Sequence, residues 1–327
     1  MKGIPKTMSP EALLNIGVSA ISQGIIWSIM SLGVYITYRL LNFADLTVDA
    51  SFTTGGAVSA IMITQGYSPI LALICALIAG MGTGFITGFL NTRMNISALL
   101  SSILAQIGLY SINLRIMGKP NLPLLRVETT FKNFSEWIGL RDPFSSLILG
   151  FTVAVAVVCI LYWFFGTEIG CAIRATGDNP SMVRALGVNT KNTVLLGLIL
   201  ANGLVALSGG LLAQSQGFAD MGMGTGAIVI GLATIIIGEV LFFKKNFMLR
   251  LFGIVFGSIV YRIIIAIVLQ MKVPSQDLKL FTAIIVALAL WIPNALDQNR
   301  ARRARKSANK ELFAGDQDTN NGGASHA

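Results

Sequence analysis

The chain has 327 residues, of which 54% are hydrophobic and only 12% charged, with a formal net charge of +9 and a mean hydropathy of +0.72. A soluble domain carries about 25% charged residues, so this composition excludes a water-soluble fold and points to a polytopic, all-α membrane helix bundle. Nor does the positive charge mark a nucleic-acid binder: Arg300, Arg302, Arg303, Arg305, Lys306 and Lys310 cluster after the last apolar block, where basic residues mark the cytoplasmic side and meet anionic lipid.

Residues 1–11 place Lys2 and Lys6 before an apolar block that is longer than a signal-peptide core and lacks a small-residue cleavage site, so an uncleaved first span is expected. Crossing the hydrocarbon takes about twenty apolar residues. Runs at 12–38, 48–65, 69–90, 97–116, 143–165, 193–214, 226–243, 250–271 and 280–296 qualify, a permease-sized domain over 12–296 with about eight to ten spans. The second and seventh are short and rich in Gly and Thr. Lys244, Lys245 and Arg250, the basic tail, and Arg174, Arg184 and Lys191 all fall on one side, the cytoplasmic one. The segments 117–142, 215–225 and 272–279 then lie outside.

Counting backwards from these loops puts the N-terminus outside despite its lysines. Either nine full spans exist, or the stretch 39–52 holds a broken or re-entrant helix that restores an even count. Irregular backbone at membrane depth survives only inside protein or along a watery cavity, which makes 39–52 a candidate part of a pathway. Gly80, Gly84 and Gly88 form one helical ridge and Gly253 with Gly257 another, spacings that let helices approach closely in lipid. Phe43-Ala44-Asp45 and Phe218-Ala219-Asp220 each precede a Gly/Thr-rich apolar run, a faint internal echo of the kind that marks substrate sites in duplicated transporters.

Between two long apolar blocks, residues 166–192 stay out of the membrane. Within them Asp178-Asn179-Pro180 offers a capping side chain followed by proline at a first helical position, and Gly187 offers the stop, so a helix of about two turns is expected over 180–186. A helix this short is marginal alone, and its apolar residues Met182, Val183, Ala185 and Leu186 need a surface, part of it on another polypeptide. The tail 297–327 is basic and then polar, with the composition of a disordered segment.

Chemistry-bearing groups are sparse. Cys75, Cys159 and Cys171 show neither disulfide nor metal spacing, and the single histidine, His326, sits in the tail, so no metal and no cofactor is expected. The Gly-rich segments at 80–88 and 222–226 lack the Lys-Ser/Thr of a phosphate-binding loop; any ATP must be hydrolysed by another chain. Asp45, Asp49, Asp220 and Glu239 lie near the membrane, where a carboxylate is either functional or set at a wet span end. Gln106, Asn113 and Asn202 fall within apolar blocks and serve interhelical hydrogen bonding or substrate contact. With Asn42, these make Asp45, Asp49, Gln106, Asn113 and Asp220 the candidate pathway residues.

Arg174-Ala175, Gly177-Asp178-Asn179, Ala185, Leu186-Gly187-Val188-Asn189 and Ser208-Gly209-Gly210 together resemble the signature cytoplasmic segment of ATP-binding-cassette importer permeases of the branched-chain amino acid and ribose type. Asn42-Phe43-Ala44 resembles the same family, and the continuation from Asp45 to Phe52 is similar to a subgroup that includes tryptophan and tyrosine importer permeases, where glycine is expected in place of Ala50. The resemblance implies an inward-transporting subunit of a bacterial inner membrane with a cytoplasmic C-terminus, not itself an enzyme. It also implies that 180–186 is a coupling helix docking on an ATPase subunit, through Met182, Val183 and Leu186 with Arg174 and Arg184 as a charged rim, and with Asp178, Asn179, Pro180 and Gly187 shaping it. Implied partners are two ATPase chains, a second and identical permease chain, and an extracytoplasmic substrate-binding protein; an amino acid, aromatic in this subgroup, is the implied cargo. The alternative is an ion-coupled secondary transporter using Asp45, Asp49 and Asp220; a membrane-embedded enzyme lacks the histidines and paired carboxylates it needs.

Overall fold

The structure, a computed structural model, describes residues 10–125, 127–140, 142–242 and 246–270, with single helical positions at 280, 283, 284 and 287. The chain divides into units 1–278 and 279–327, and the helix bundle belongs to the first. Eight of the nine expected spans appear as helices: α1 (Pro10–Tyr35, continued by a π turn at Ile36–Leu40), α2 (Thr47–Thr64), α3 (Pro69–Thr92), α4 (Ala98–Met117), α6 (Phe144–Phe165), α9 (Thr190–Gln216), α10 (Ala227–Leu241) and α11 (Phe247–Gln270). The ninth, the N-terminal lysines and the basic tail lie outside the described residues. Six of these helices are long and apolar enough to cross a membrane; α2 and α10, the two expected to be short, are the remainder.

Local chemistry sets the helix ends. Ser68 accepts from Leu71 N with Pro69 at the first position of α3, and Asn189 accepts from Lys191 N at the start of α9. Three short helices lie between the spans: α5 (Thr130–Ile138), α7 (Glu168–Asp178) and α8 (Pro180–Ala185). Strands β1 (Asn121–Pro123) and β2 (Phe218–Asp220) pair antiparallel, Leu122 opposite Ala219. Hydropathy alone does not reveal these elements in 117–142 and 215–225.

The bundle is built around α9, which α2 and α3 flank. Small residues make this possible. A side chain on Gly55 would collide with the Ala206 backbone, one on Gly209 with Phe52, and ones on Gly80, Gly84 and Gly88 with α9 at Asn202, Leu198 and Leu195. Gly253 and Gly257 do the same for α11 against α10. Both glycine ridges are therefore packing surfaces. Gly55→Leu is expected to cost about 3 kcal/mol by overpacking, whereas Gly82→Leu on the open face of α3, where nothing lies within 4 Å, leaves stability unchanged; thermal unfolding in detergent compares the two.

Long-range contacts sort the loops into two ends. Lys191 Nζ donates to Asn95 Oδ1 at 3.2 Å, Gly177 packs on Leu40, and Arg39 pairs with Glu239 at 3.0 Å. These place 39–42, 93–97, 166–189 and the end of α10 together. At the opposite end β1 meets β2, and Gln214 ties Pro69 to Thr130. The alternation matches that read from the charged loops.

Candidate functional site

Residues 166–189 hold two helices where the sequence leads one to expect a single one. Thr167 caps α7 through Gly170 N, and Ile173 and Thr176 bury one face of α7, the Thr176 hydroxyl lying 2.9 Å from that of Thr193 on α9. The signal is present in Thr167-Glu168, a cap with an acidic first turn, but short amphipathic helices are overshadowed by the blocks beside them. Next, Asn179 caps α8 through Met182 N at 3.0 Å with Pro180 at its first position. Gly187, at φ +84°, turns the chain in the left-handed region that favours glycine.

The side chains of α8 and of its C-cap, Leu186, divide sharply. Met182 and Leu186 are 54% and 69% exposed, while Val183 is 2% exposed. Val183, grouped with the outward contacts on sequence, instead anchors the helix to its own chain. Arg174 is half-buried, its guanidinium 4.7 Å above the Phe247 ring on α11. Arg184 stays at the surface, its Nε donating to Pro180 O at 3.2 Å, and Asp178 is exposed.

The six candidate pathway residues do not form one site. Asn42 sits at the α8 end with a left-handed backbone (φ +52°), which asparagine tolerates, and lines a cavity of about 450 Å³ with Thr176, Asp178, Pro180 and Lys191. From there residues 41–46 turn into the bundle interior, so the break foreseen in 39–52 lies between α1 and α2. Asp45, 2% exposed, ends this link. Its Oδ2 accepts from Asn202 Nδ2 at 2.8 Å and its Oδ1 from Thr47 N at 2.9 Å. Asn202 Oδ1 in turn accepts from Ser51 Oγ at 2.6 Å, and Ser51 and Thr83 hydroxyls lie 2.7 Å apart. Asn202, missing from the pathway set, is the hub of a polar seam joining α2, α3 and α9.

Asp49, Gln106 and Asn113 do meet. With Ala50, Thr53, Ile107, Tyr110, Ser111, Met221, Gly222 and Thr225 they line an open cavity of about 600 Å³ between α2, α4 and the segment 221–225. Asp49 serves α10: its Oδ2 accepts from Gly226 N and its Oδ1 from Ile228 N, both at 3.0 Å, where α10 has no side-chain cap of its own. Asp220 belongs to the loop, with Oδ1 accepting from Gly222 N at 2.7 Å and Oδ2 from Asn121 Nδ2 at 3.3 Å. The echo of the two Phe-Ala-Asp motifs is thus structural: each aspartate accepts from the N–H two residues on, and each turn leads into a short helix that begins inside the bundle. The three aspartates each answer a different set of donors. Among the described residues, no group of three His, Cys, Asp or Glu side chains is placed to hold a metal ion.

Residues 17–291 match the family model described as the branched-chain amino acid transport system / permease component. The chain belongs to that family: it is a multi-pass membrane permease component, a transport subunit. It is 41% identical over 277 residues to the tyrosine transport system permease protein of Clostridioides difficile (strain R20291), covering 85% of this chain and 91% of that one. An uncharacterized protein of Rickettsia prowazekii (strain Madrid E) is 35% identical over 283 residues, covering 85% of this chain and 97% of its own length. Among solved structures, PsaBC from Streptococcus pneumoniae in complex with Fab aligns over 85% of this chain and 90% of its own, with a TM-score of 0.49 and 14% identity.

Proposed function

We propose that this chain is the membrane-spanning half of an importer for an aromatic amino acid, tyrosine foremost, powered by a separate ATPase that docks on α8. One observation carries the ATPase half of this reading. A six-residue helix, capped at Asn179 and anchored by Val183, presents Met182 and Leu186 away from its own chain, and solvent-facing apolar residues on so short a helix want a partner groove. The cargo rests on the relative named for tyrosine transport. Two such chains with two ATPase chains and an extracytoplasmic binding protein make the working assembly, residues 12–296 forming its membrane domain and 297–327 a tail. Orientation follows the charges: Arg39, Arg93, Arg174, Arg184, Lys191 and Arg250 gather at the α8 end, which is assigned to the cytoplasm of a bacterial inner membrane together with the C-terminus.

The rival reading, ion coupling through Asp45, Asp49 and Asp220, requires the carboxylates to act together, and they are committed to Asn202, to α10 and to the β2 turn respectively. The deciding experiment reconstitutes the permease with its ATPase and binding protein in proteoliposomes and follows radiolabelled tyrosine. Uptake is expected to require ATP and to persist when proton and sodium gradients are collapsed. Uptake that follows a gradient and ignores ATP overturns the proposal.

A further inference from the structure

The 600 Å³ cavity has a polarity that helix packing leaves unused. Asn113 is 1% exposed, and its Nδ2 donates to the Ala50 carbonyl at 3.3 Å. A carbonyl only accepts, so this bond fixes the amide's orientation. Oδ1 is left buried with no hydrogen-bond partner among the described residues. Such an oxygen is costly unless something donates to it. Asp49, the neighbour of Ala50, lines the same cavity, and each of its oxygens spends one lone pair on an α10 N–H and keeps another. Two acceptors, one of them a carboxylate, are therefore anchored on consecutive residues of α2. Ile107, Ala50 and Met221 supply apolar wall, and the cavity's volume lies within the about 300–1,000 Å³ typical of small-molecule sites.

We propose that Asp49 and Asn113 form an ammonium-recognising subsite, which holds the α-amino group of the transported solute as it passes. An ammonium brings three donors and a positive charge to a cavity whose wall holds both a carboxylate and an unsatisfied amide oxygen. Gln106, Tyr110 and Ser111 offer donors elsewhere on the wall, but at the Asp49 and Asn113 oxygens themselves a carboxylate or phosphate group would meet only acceptors. The inference rests on the amino-acid importer reading and deepens it, assigning to the permease itself a preference for aminated cargo.

The test uses the full permease in lipid nanodiscs and follows thermal unfolding against three probes: tyramine, which has the ammonium without the carboxylate; 3-(4-hydroxyphenyl)propionate, which has the reverse; and L-tyrosine. Tyramine and tyrosine are expected to raise Tm and the propionate to leave it unchanged. Asn113→Leu, of similar volume, is expected to raise the half-saturating tyramine concentration about tenfold, the worth of one charge-assisted hydrogen bond, and Asn113→Asp to retain binding. Equal responses to tyramine and the propionate, no response to either, or an unchanged tyramine response in Asn113→Leu each overturn the subsite. If Asn113→Leu does not fold, the tyramine and propionate comparison on the wild-type chain decides. Stabilisation by tyramine in a chain that carries no tyrosine with ATP leaves the subsite standing and removes the cargo reading.

Discussion

Leu186→Glu is expected to abolish ATP-driven uptake while leaving the chain folded and inserted. Leu186 is 69% exposed and Met182 54%, so a carboxylate at either position meets water in the isolated permease and costs little. In an ATPase groove the same carboxylate is desolvated without a partner, which at about 3 kcal/mol weakens docking about a hundredfold. Met182→Glu should behave alike. Val183→Glu should fail differently, by loosening the segment itself, because Val183 is buried in its own chain. Co-purification of the ATPase, read beside uptake and the permease's Tm, separates the two modes. Unchanged uptake in Leu186→Glu and Met182→Glu removes α8 from the coupling role.

The second large effect concerns stability. Asn202→Leu is expected to cost about 3–5 kcal/mol, because it leaves the buried Asp45 carboxylate without its side-chain donor and Ser51 without its acceptor. Asp45→Asn in the wild-type background should cost far less, since an amide keeps the bond to Thr47 N. The informative comparison is the double variant Asp45→Leu with Asn202→Leu. If it is more stable than Asn202→Leu alone, the penalty lies in the stranded carboxylate. A double variant as unstable as the sum of the single losses shows that the seam acts only by packing.

Much of this molecule is written in its hydropathy. The eight helices that match expected spans begin and end within a few residues of the apolar blocks, and for the six of membrane length the reason is that such a run has few alternatives to a transmembrane helix. The α8 cap and stop are legible as well, since Asn179, Pro180 and Gly187 act locally. The direction in which side chains point is not. Val183 sits between exposed neighbours and is buried only by the approach of α9, and Arg174 is drawn toward α11 only by Phe247. The same reason scatters the candidate pathway. Asp45, Asp49 and Asp220 look alike as acids near spans, but their roles depend on donors far along the chain: Asn202 for the first, Gly226 and Ile228 for the second. Of the six, Asp49, Gln106 and Asn113 share a cavity through a meeting of α2, α4 and 221–225 that no local pattern encodes.

The bond between Asp49 and the start of α10 bears on how the chain enters the membrane. Neither segment is a convincing insertion signal alone, α2 carrying a carboxylate and many hydroxyls, α10 having only 15 residues and uncapped N–H groups. Each relieves the other's polar burden on docking, yet they are made more than a hundred and seventy residues apart. α2 is therefore expected to wait, sheltered by its neighbours or at the bilayer surface, until α10 emerges from the ribosome. A chain truncated before Gly226 is then expected to leave α2 exposed to membrane quality control, seen as faster turnover than in the full-length chain.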